Sequence, residues 1–361
     1  MRFWNWGLGS AYEDRAEVPL GGRRHALVSL AHRSPFTPIM LLDALALLAG
    51  FFFLAKGADA LVEGAGTIAT KLGMDKWVVG LTIVAWGTSL PEVVVSTLAA
   101  QEGRPGAALG NVLGSNVANA GLVLGVVGLI LPRALVGRLS LRESLPLVAS
   151  IGVLWYVLSD QVVTRVEAIS MMVLFLAYTF ELIFMRGRGK QSPSADIEPD
   201  EIHKPRPWLR ILAGSVAIGG GAQLVLFGAF GIAEVLGLKE GFVGLVILAL
   251  GTSLPELAAG IVSARKGHTE IGLGNIVGSN VFNMLAVIGI AGTVSPFGVE
   301  RGAQEGWPLA ATDALHRDLP VNLAFALFLV LGPPLFRGRA AKQRAGVLLA
   351  AWLGYVVWIA L

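Results

Sequence analysis

Two GTSLPE blocks, at 87–92 and 251–256, each end in a glutamate, Glu92 and Glu256. Both lie inside long apolar runs. A carboxylate there is expensive and marks a functional position by default. The alternative is a structural carboxylate paired with a buried base. Lys56 is the only basic residue well inside an apolar run, and one lysine does not serve two glutamates. Each glutamate follows a proline, Pro91 or Pro255. Proline removes a helix hydrogen bond and crowds the preceding turn, which frees carbonyls around Gly87 and Gly251. Irregular backbone at membrane depth is tolerated where it lines a cavity. Thr88 stands one turn before Glu92 and Ser89 three residues before it, so both hydroxyls flank the carboxylate's face of a helix. Thr252 and Ser253 repeat the arrangement before Glu256. A lone Ser or Thr in a helix bonds back to its own backbone. Beside freed carbonyls and a carboxylate, a ligand role is favoured.

A second motif, GN-xx-GSN-xx-N, follows each block. Asn111, Ser115 and Asn119 are spaced four apart and share one helical face, as do Asn275, Ser279 and Asn283. Asn116 and Asn280 point elsewhere and are expected to bond between helices. The stretches Gly87–Asn119 and Gly251–Asn283 align without a gap, and Gly73 and Gly80 match Gly237 and Gly244 in the same register. Two pairs of motifs at one separation are a duplication, not chance. The donors they offer are all oxygens: carboxylate, hydroxyl, amide and main-chain carbonyl. That is a hard-cation set, and calcium takes about six to eight such oxygens. Neither motif contains a histidine and the chain has no cysteine, so thiolate metal sites, iron–sulfur clusters and cysteine nucleophiles are excluded and zinc or copper is disfavoured. Two carboxylates balance one calcium or two sodium ions. A third sodium would leave the loaded site positive and make exchange electrogenic.

The elements that must position these groups are apolar spans. Hydrophobic residues make up 54% of the 361, charged residues only 15%, and mean hydropathy is +0.68. Soluble domains carry about 25% charged residues. Runs long enough to cross a bilayer, about 20 residues, fall near 39–70, 77–101, 106–131, 145–159, 163–185, 208–236, 241–264, 270–296, 319–336 and 345–361. The pattern predicts an all-α polytopic membrane protein of about ten helices, with a short span at 145–159 and a tilted one at 39–70. If the first helix enters the cytoplasm at its C-terminal end, the cytoplasmic loops hold most of the arginines and lysines. Lys71, Lys76, Arg133, Arg138, Arg142, Arg186, Arg188, Lys190 and Arg337 are among them, while the opposite loops hold few; the extension before the first span does not fit this scheme, since its Arg2, Arg15, Arg23, Arg24 and Arg33 would sit outside. The chain then divides into an extension at 1–38 expected to be disordered, a first half at 39–186, a polar cytoplasmic linker at 187–207 and a second half at 208–361. The extension lacks the apolar core of a signal peptide, and Met40 is a plausible alternative start. Five helices per half place the halves in opposite orientations, the inverted repeat common to secondary transporters. The 46 glycines suit close helix packing in lipid. The formal net charge of +3 is spread in short clusters between spans, with no nucleic-acid platform.

The duplicated motifs closely resemble the alpha repeats of the calcium/cation antiporter superfamily, and within it the bacterial and archaeal sodium/calcium exchanger branch. The resemblance runs from about residue 40 to the end. It implies ten helices in two inverted halves around a cluster of cation sites. It implies that Glu92 and Glu256 bind both calcium and sodium. Thr88, Ser89, Thr252 and Ser253 would add oxygens, as would the carbonyls of Ala85 and Ala249. Ser115 and Ser279 would line outer sodium sites, and Asn119 and Asn283 hold the central position of each repeat. Several members carry Asp at the position of Asn283, including potassium-dependent ones, so Asn argues against potassium dependence. Calcium and sodium are then transported ions in the cell membrane and no cofactor is expected. The long spans 39–70 and 208–236 would slide past a fixed core. On the first, Asp59 and Glu63 are expected to be interfacial or water-facing and not ligands. A calcium/proton antiporter using the same glutamates is the runner-up and a cation channel a third reading. An enzyme is not expected, because no His–Ser, Asp–Asp or metal–histidine constellation falls within the spans.

Overall fold

The computed structural model describes residues 38–103, 105–132, 141–186, 205–235, 251–298, 314–335 and 341–360. The extension before Pro38, most of the 187–207 linker, Ala249 and the first half of the 241–264 span lie outside the described residues. Those described are nearly all helical. In chain order the helices are α1 (Pro38–Leu72), α2 (Lys76–Thr88), α3 (Leu90–Gln101), α4 (Pro105–Ile130), α5 (Leu141–Val157), α6 (Arg165–Phe180), α7 (Pro207–Val235), α8 (Leu254–Arg265), α9 (Thr269–Val294), α10 (Leu319–Leu335) and α11 (Ala341–Ala360). Among the described residues, six helices are long and apolar enough to cross a membrane, or seven if α2 and α3 form one bent span. At the expected short span the chain is helical, but the helix is shorter than the candidate spans: α5 continues into a 3₁₀ turn, Leu158–Asp160.

α1 is a single helix of 35 residues. At about 1.5 Å per residue it exceeds a hydrocarbon core of about 30 Å, which accords with a tilted span. It ends at Gly73, whose φ of +61° closes the helix where a side chain would be strained. Asp75 then caps α2, its carboxylate accepting from Trp77 N at 2.8 Å. α2 and α3 meet at Ser89, with a 49° bend. Ser89 has φ −90°, ψ 10°, and Pro91 sits in the first turn of α3, where its missing N–H costs nothing. Ser253 before α8 has φ −90°, ψ 1°, with Pro255 placed likewise. The duplication therefore extends to backbone dihedrals. It extends further: α4 and α9 each contain a π-helical segment starting at the matched asparagine, Asn119–Val123 and Asn283–Val287.

α9 is the most enclosed of the candidate spans, with 89% of its apolar window buried, and α6 the least, with 28%. α4 and α9 form the centre. α3 packs on the Asn283–Val287 segment and α8 on the Asn119–Val123 segment, so each acidic helix leans on the other repeat's asparagine helix. Trp86, Phe175 and Phe282 clasp α2, α6 and α9 together, with ring centroids 5.2–6.2 Å apart. Two short strands, β1 (Val162–Val163) and β2 (Phe297–Gly298), pair antiparallel beyond the helix ends.

α1 and α7 run antiparallel at very close range. Gly50, Gly57 and Gly64 recur every seven residues on α1 and face Gly221, Gly214 and Pro207 on α7. A Cβ at Gly57 would fall 2.8 Å from the Gly214 carbonyl oxygen. Such approach gains dispersion where lipid offers no hydrophobic drive. The pair is tied to the rest by charges. Glu63 of α1 binds Arg210 of α7 at 2.8 Å and Lys266, just after α8, at 2.7 Å, and Lys266 also lies 3.4 Å from Asp59. Partial burial pulls the Lys266 ammonium down, but Glu63 and Asp59 outweigh it and hold it above its ordinary value. Asp59 and Glu63 are thus interfacial ion-pair residues, as their lack of acidic counterparts on α7 suggested.

Candidate ion-binding site

Glu92 and Glu256 are both fully buried, and their carboxylates lie near enough for their charges to interact. Lys56 is exposed and does not reach them. The hydroxyls expected beside Glu92 serve the other repeat. Ser89 Oγ donates to Glu256 Oε1 at 2.9 Å. Thr88 Oγ1 lies 3.1 Å from Asn275 Oδ1, 3.4 Å from Ser279 Oγ and 3.3 Å from the Ala85 carbonyl, and its one proton serves one of these at a time. Thr88 and Ser279 also flank the Glu256 carboxylate. The physical cause is the bend at Ser89: with the helix broken there, Thr88 and Ser89 are no longer on a continuous turn with Glu92 and swing across the interface. The back-bonding alternative holds in part, because Thr88 Oγ1 lies within reach of the Ala85 carbonyl; in the second motif Ser115 Oγ likewise donates to Val112 O at 3.1 Å.

The second motif divides similarly. Asn111 donates to Ser96 Oγ at 2.9 Å and to the Glu92 carbonyl at 3.4 Å, fixing α3 against α4. Ser115 Oγ accepts from Asn283 Nδ2 at 3.1 Å. Asn119 and Asn283 are fully buried. Thr252 and Ser253 are buried at the start of α8, and Ser253 Oγ makes no hydrogen bond. The Ala85 carbonyl already accepts from Ser89 N at 3.0 Å. Asn116 and Asn280 bond between helices, each to the other's main chain.

What remains unpaired is mostly oxygen. Both oxygens of Glu92, Oε2 of Glu256, Oδ1 of Asn119, Oδ1 of Asn283 and Oγ of Ser253 are buried without a hydrogen-bond partner. One nitrogen of the duplicated motifs, Asn275 Nδ2, shares that state. Buried polar atoms are ordinarily satisfied. A concentration of orphaned oxygens about two acidic groups suits a cation and offers nothing to an anion. Among the described residues no three His, Cys, Asp or Glu side chains gather as a metal cluster. The set therefore depends on neutral oxygens beside two charges, which favours hard cations held loosely.

Two features escaped the sequence. Ser96, the partner of Asn111, has no counterpart in the second repeat, where Gly260 stands, so the duplication gave no signal for it. The crossing of hydroxyls between repeats is a tertiary fact. Away from the site, Asp318 is buried and bound by Arg317 at 2.8 Å and by Tyr355 Oη at 3.0 Å, which fastens the turn before α10 to α11.

A bundle of lipid-length helices around enclosed, unpaired oxygens is a helical membrane protein with the donor set of the ion-transport class. More narrowly, the chain belongs to the sodium/calcium exchanger protein family, whose model matches residues 42–184 and 206–361. It is 38% identical to the putative antiporter CaxA of Alkalimonas amylolytica, over 88% of this chain and 98% of that protein. It is 30% identical to the sodium/calcium exchanger MaX1 of Methanosarcina acetivorans, over 81% of this chain and 91% of that one. In fold it resembles the solved sodium-calcium exchanger NCX_Mj, with a TM-score of 0.70 at 23% identity, covering 88% of this chain and 99% of that chain. The family is one of transporters.

Proposed function

We propose that this protein exchanges sodium for calcium across the cell membrane by alternating access, with Glu92 and Glu256 shared between the two ions. The observation that carries the reading is the set of buried oxygens without partners around two interacting carboxylates. A dehydrated calcium ion recovers its hydration energy from about six to eight oxygens. Glu92, Glu256, Asn119 and Asn283 supply carboxylate and amide oxygens. Ser253 adds a free hydroxyl, and Thr88, Ser89, Thr252, Ser115 and Ser279 border the space. The Ala85 carbonyl, and Ala249 by its matching place in the second repeat, complete the proposed set. With two negative charges the site is neutral with one calcium or two sodium ions. The same oxygens therefore serve either load but not both, which is the requirement for exchange.

The architecture consistent with this is ten helices in two inverted halves, joined by a cytoplasmic linker at 187–207. Because α1 and α7 are packed glycine to glycine, they would move as one body across the core. Glu63 and Lys266 meet at that boundary. Access to the site would alternate as the pair shifts.

The test is labelled calcium uptake into vesicles holding the purified protein. An outward sodium gradient is expected to drive uptake that collapses when sodium is equal on both sides. Uptake driven by a pH gradient without sodium would give the calcium/proton reading instead. Passive calcium conductance without counter-transport would make the protein a channel.

A further inference from the structure

Asn116 and Asn280 occupy one position of the duplicated motif, on α4 and α9, and both are buried. Asn116 Nδ2 donates to the Asn280 carbonyl at 3.0 Å, and Asn280 Nδ2 donates to the Asn116 carbonyl at 3.2 Å. With the nitrogens so used, each Oδ1 becomes an acceptor. Asn283 Nδ2 donates to Asn116 Oδ1 at 3.0 Å, and Asn119 Nδ2 donates to Asn280 Oδ1 at 3.1 Å. The four amides form a crossed network in which each repeat's clasp residue holds the other repeat's central asparagine. Its polarity is fixed. Turning Asn116 over would set its oxygen against the Asn280 carbonyl and its NH₂ against that of Asn283. The same holds for Asn280. One arrangement gives every one of the four amide nitrogens an acceptor, and it leaves Oδ1 of Asn119 and Oδ1 of Asn283 unpaired.

We infer that Asn116 and Asn280 are positioning residues for the ion site, an amide clasp that turns the carbonyl oxygens of Asn119 and Asn283 free for the cation and demands a hydrogen-bond donor at both positions. This rests on the ion-binding reading proposed above. It deepens that reading in one respect. A charged carboxylate at 283 would face the Asn116 oxygen, acceptor against acceptor, whereas an amide or a protonated carboxyl can donate to it, so the clasp favours a neutral side chain at the central position. The charge of the site then stays with Glu92 and Glu256 alone. Metal sites depend on such outer partners to aim their ligands, and losing one costs about 10–100-fold in affinity.

The experiment is equilibrium calcium binding to the purified full chain by calorimetry, in the absence and presence of sodium. Asn280→Leu, which removes the acceptor for Asn119, is expected to weaken calcium binding by about 10–100-fold. Combined with Asn119→Ala, Asn280→Leu is expected to add little further loss, because both act through one oxygen; a mere packing role gives additive losses. If the leucine variant does not assemble, Asn280→Ser, too short to reach Asn119, makes the same test. Unchanged affinity in the leucine or serine variant, or additive losses, overturns the clasp. If the unaltered protein binds calcium and sodium does not compete, sodium coupling falls and the clasp stands on the calcium affinities. If sodium competes and the Asn280 variants bind normally, the clasp falls and exchange stands. If the unaltered protein binds no calcium, both fall.

Discussion

At the scale of single residues, the economy of the site is set by two carboxylates that water does not reach. Isolated in an apolar interior, each would carry a desolvation cost of several kcal/mol, and their proximity adds repulsion. Under the proposed exchange a bound cation would remove both penalties, and the stability of the pair would depend on its load. Glu92→Gln and Glu256→Gln should each reduce sodium-driven calcium flux by at least about 100-fold, while the protein still inserts and elutes as the unaltered protein does on size exclusion. Flux near normal in either variant would remove that glutamate from the site. Ser89→Ala should weaken calcium binding by about tenfold, the loss of a hydrogen bond to a charged acceptor, with the damage read at Glu256 and not at its own helix neighbour Glu92. Equal affinity in calorimetry would show that the contact at 2.9 Å aims nothing. Which residues the structure buries together at the candidate site was largely legible in the sequence, because a duplicated GTSLPE names its oxygens twice. Which carboxylate each hydroxyl serves was not legible. Helical spacing assigns Thr88 and Ser89 to Glu92 only if the helix is continuous, and the bend at Ser89 sends Ser89 to Glu256 instead.

At the scale of elements, the contrast is between α1–α7, packed so that backbones nearly touch, and the boundary of that pair with the core, where Glu63, Asp59 and Lys266 meet. Gly57→Val should destabilise the fold by about 1–3 kcal/mol through overpacking, seen as a lower melting temperature in detergent. Gly152→Ala is the control, since nothing lies within 4 Å of a Cβ there. Equal melting of the two variants would mean that the glycine face is not a close contact. Under alternating access, Lys266→Ala should change the turnover rate more than the calcium affinity, because a partly exposed ion pair adds little to stability yet lies across the moving boundary. A change in affinity with an unaltered rate would place Lys266 elsewhere in the mechanism. The long helix at 39–70 and the short one at 145–159 could be read from run length, and the break before Glu92 from Pro91. The π segments at Asn119 and Asn283 could not, since an inserted residue in the helical ladder leaves no mark on hydropathy.

At the scale of the whole molecule, the claim is that one duplicated half-site, used twice, encloses a hard cation between its copies. The resemblance of motifs foretold the family, and the family match with the fold likeness to NCX_Mj bears it out. The sidedness of the molecule rests on the distribution of arginine and lysine, and the absence of cysteine makes it simple to check. Ala195→Cys, in the polar linker, should react with an impermeant thiol reagent only from the cytoplasmic side, and Glu102→Cys only from the opposite side. Labelling of both from one face would contradict the inverted arrangement. The most direct measurement is a crystal structure of the calcium-loaded protein with anomalous diffraction locating the ion. The account predicts one calcium peak about 2.3–2.6 Å from carboxylate oxygens of both Glu92 and Glu256. A calcium bound to one of them alone, or seated away from both, would contradict it.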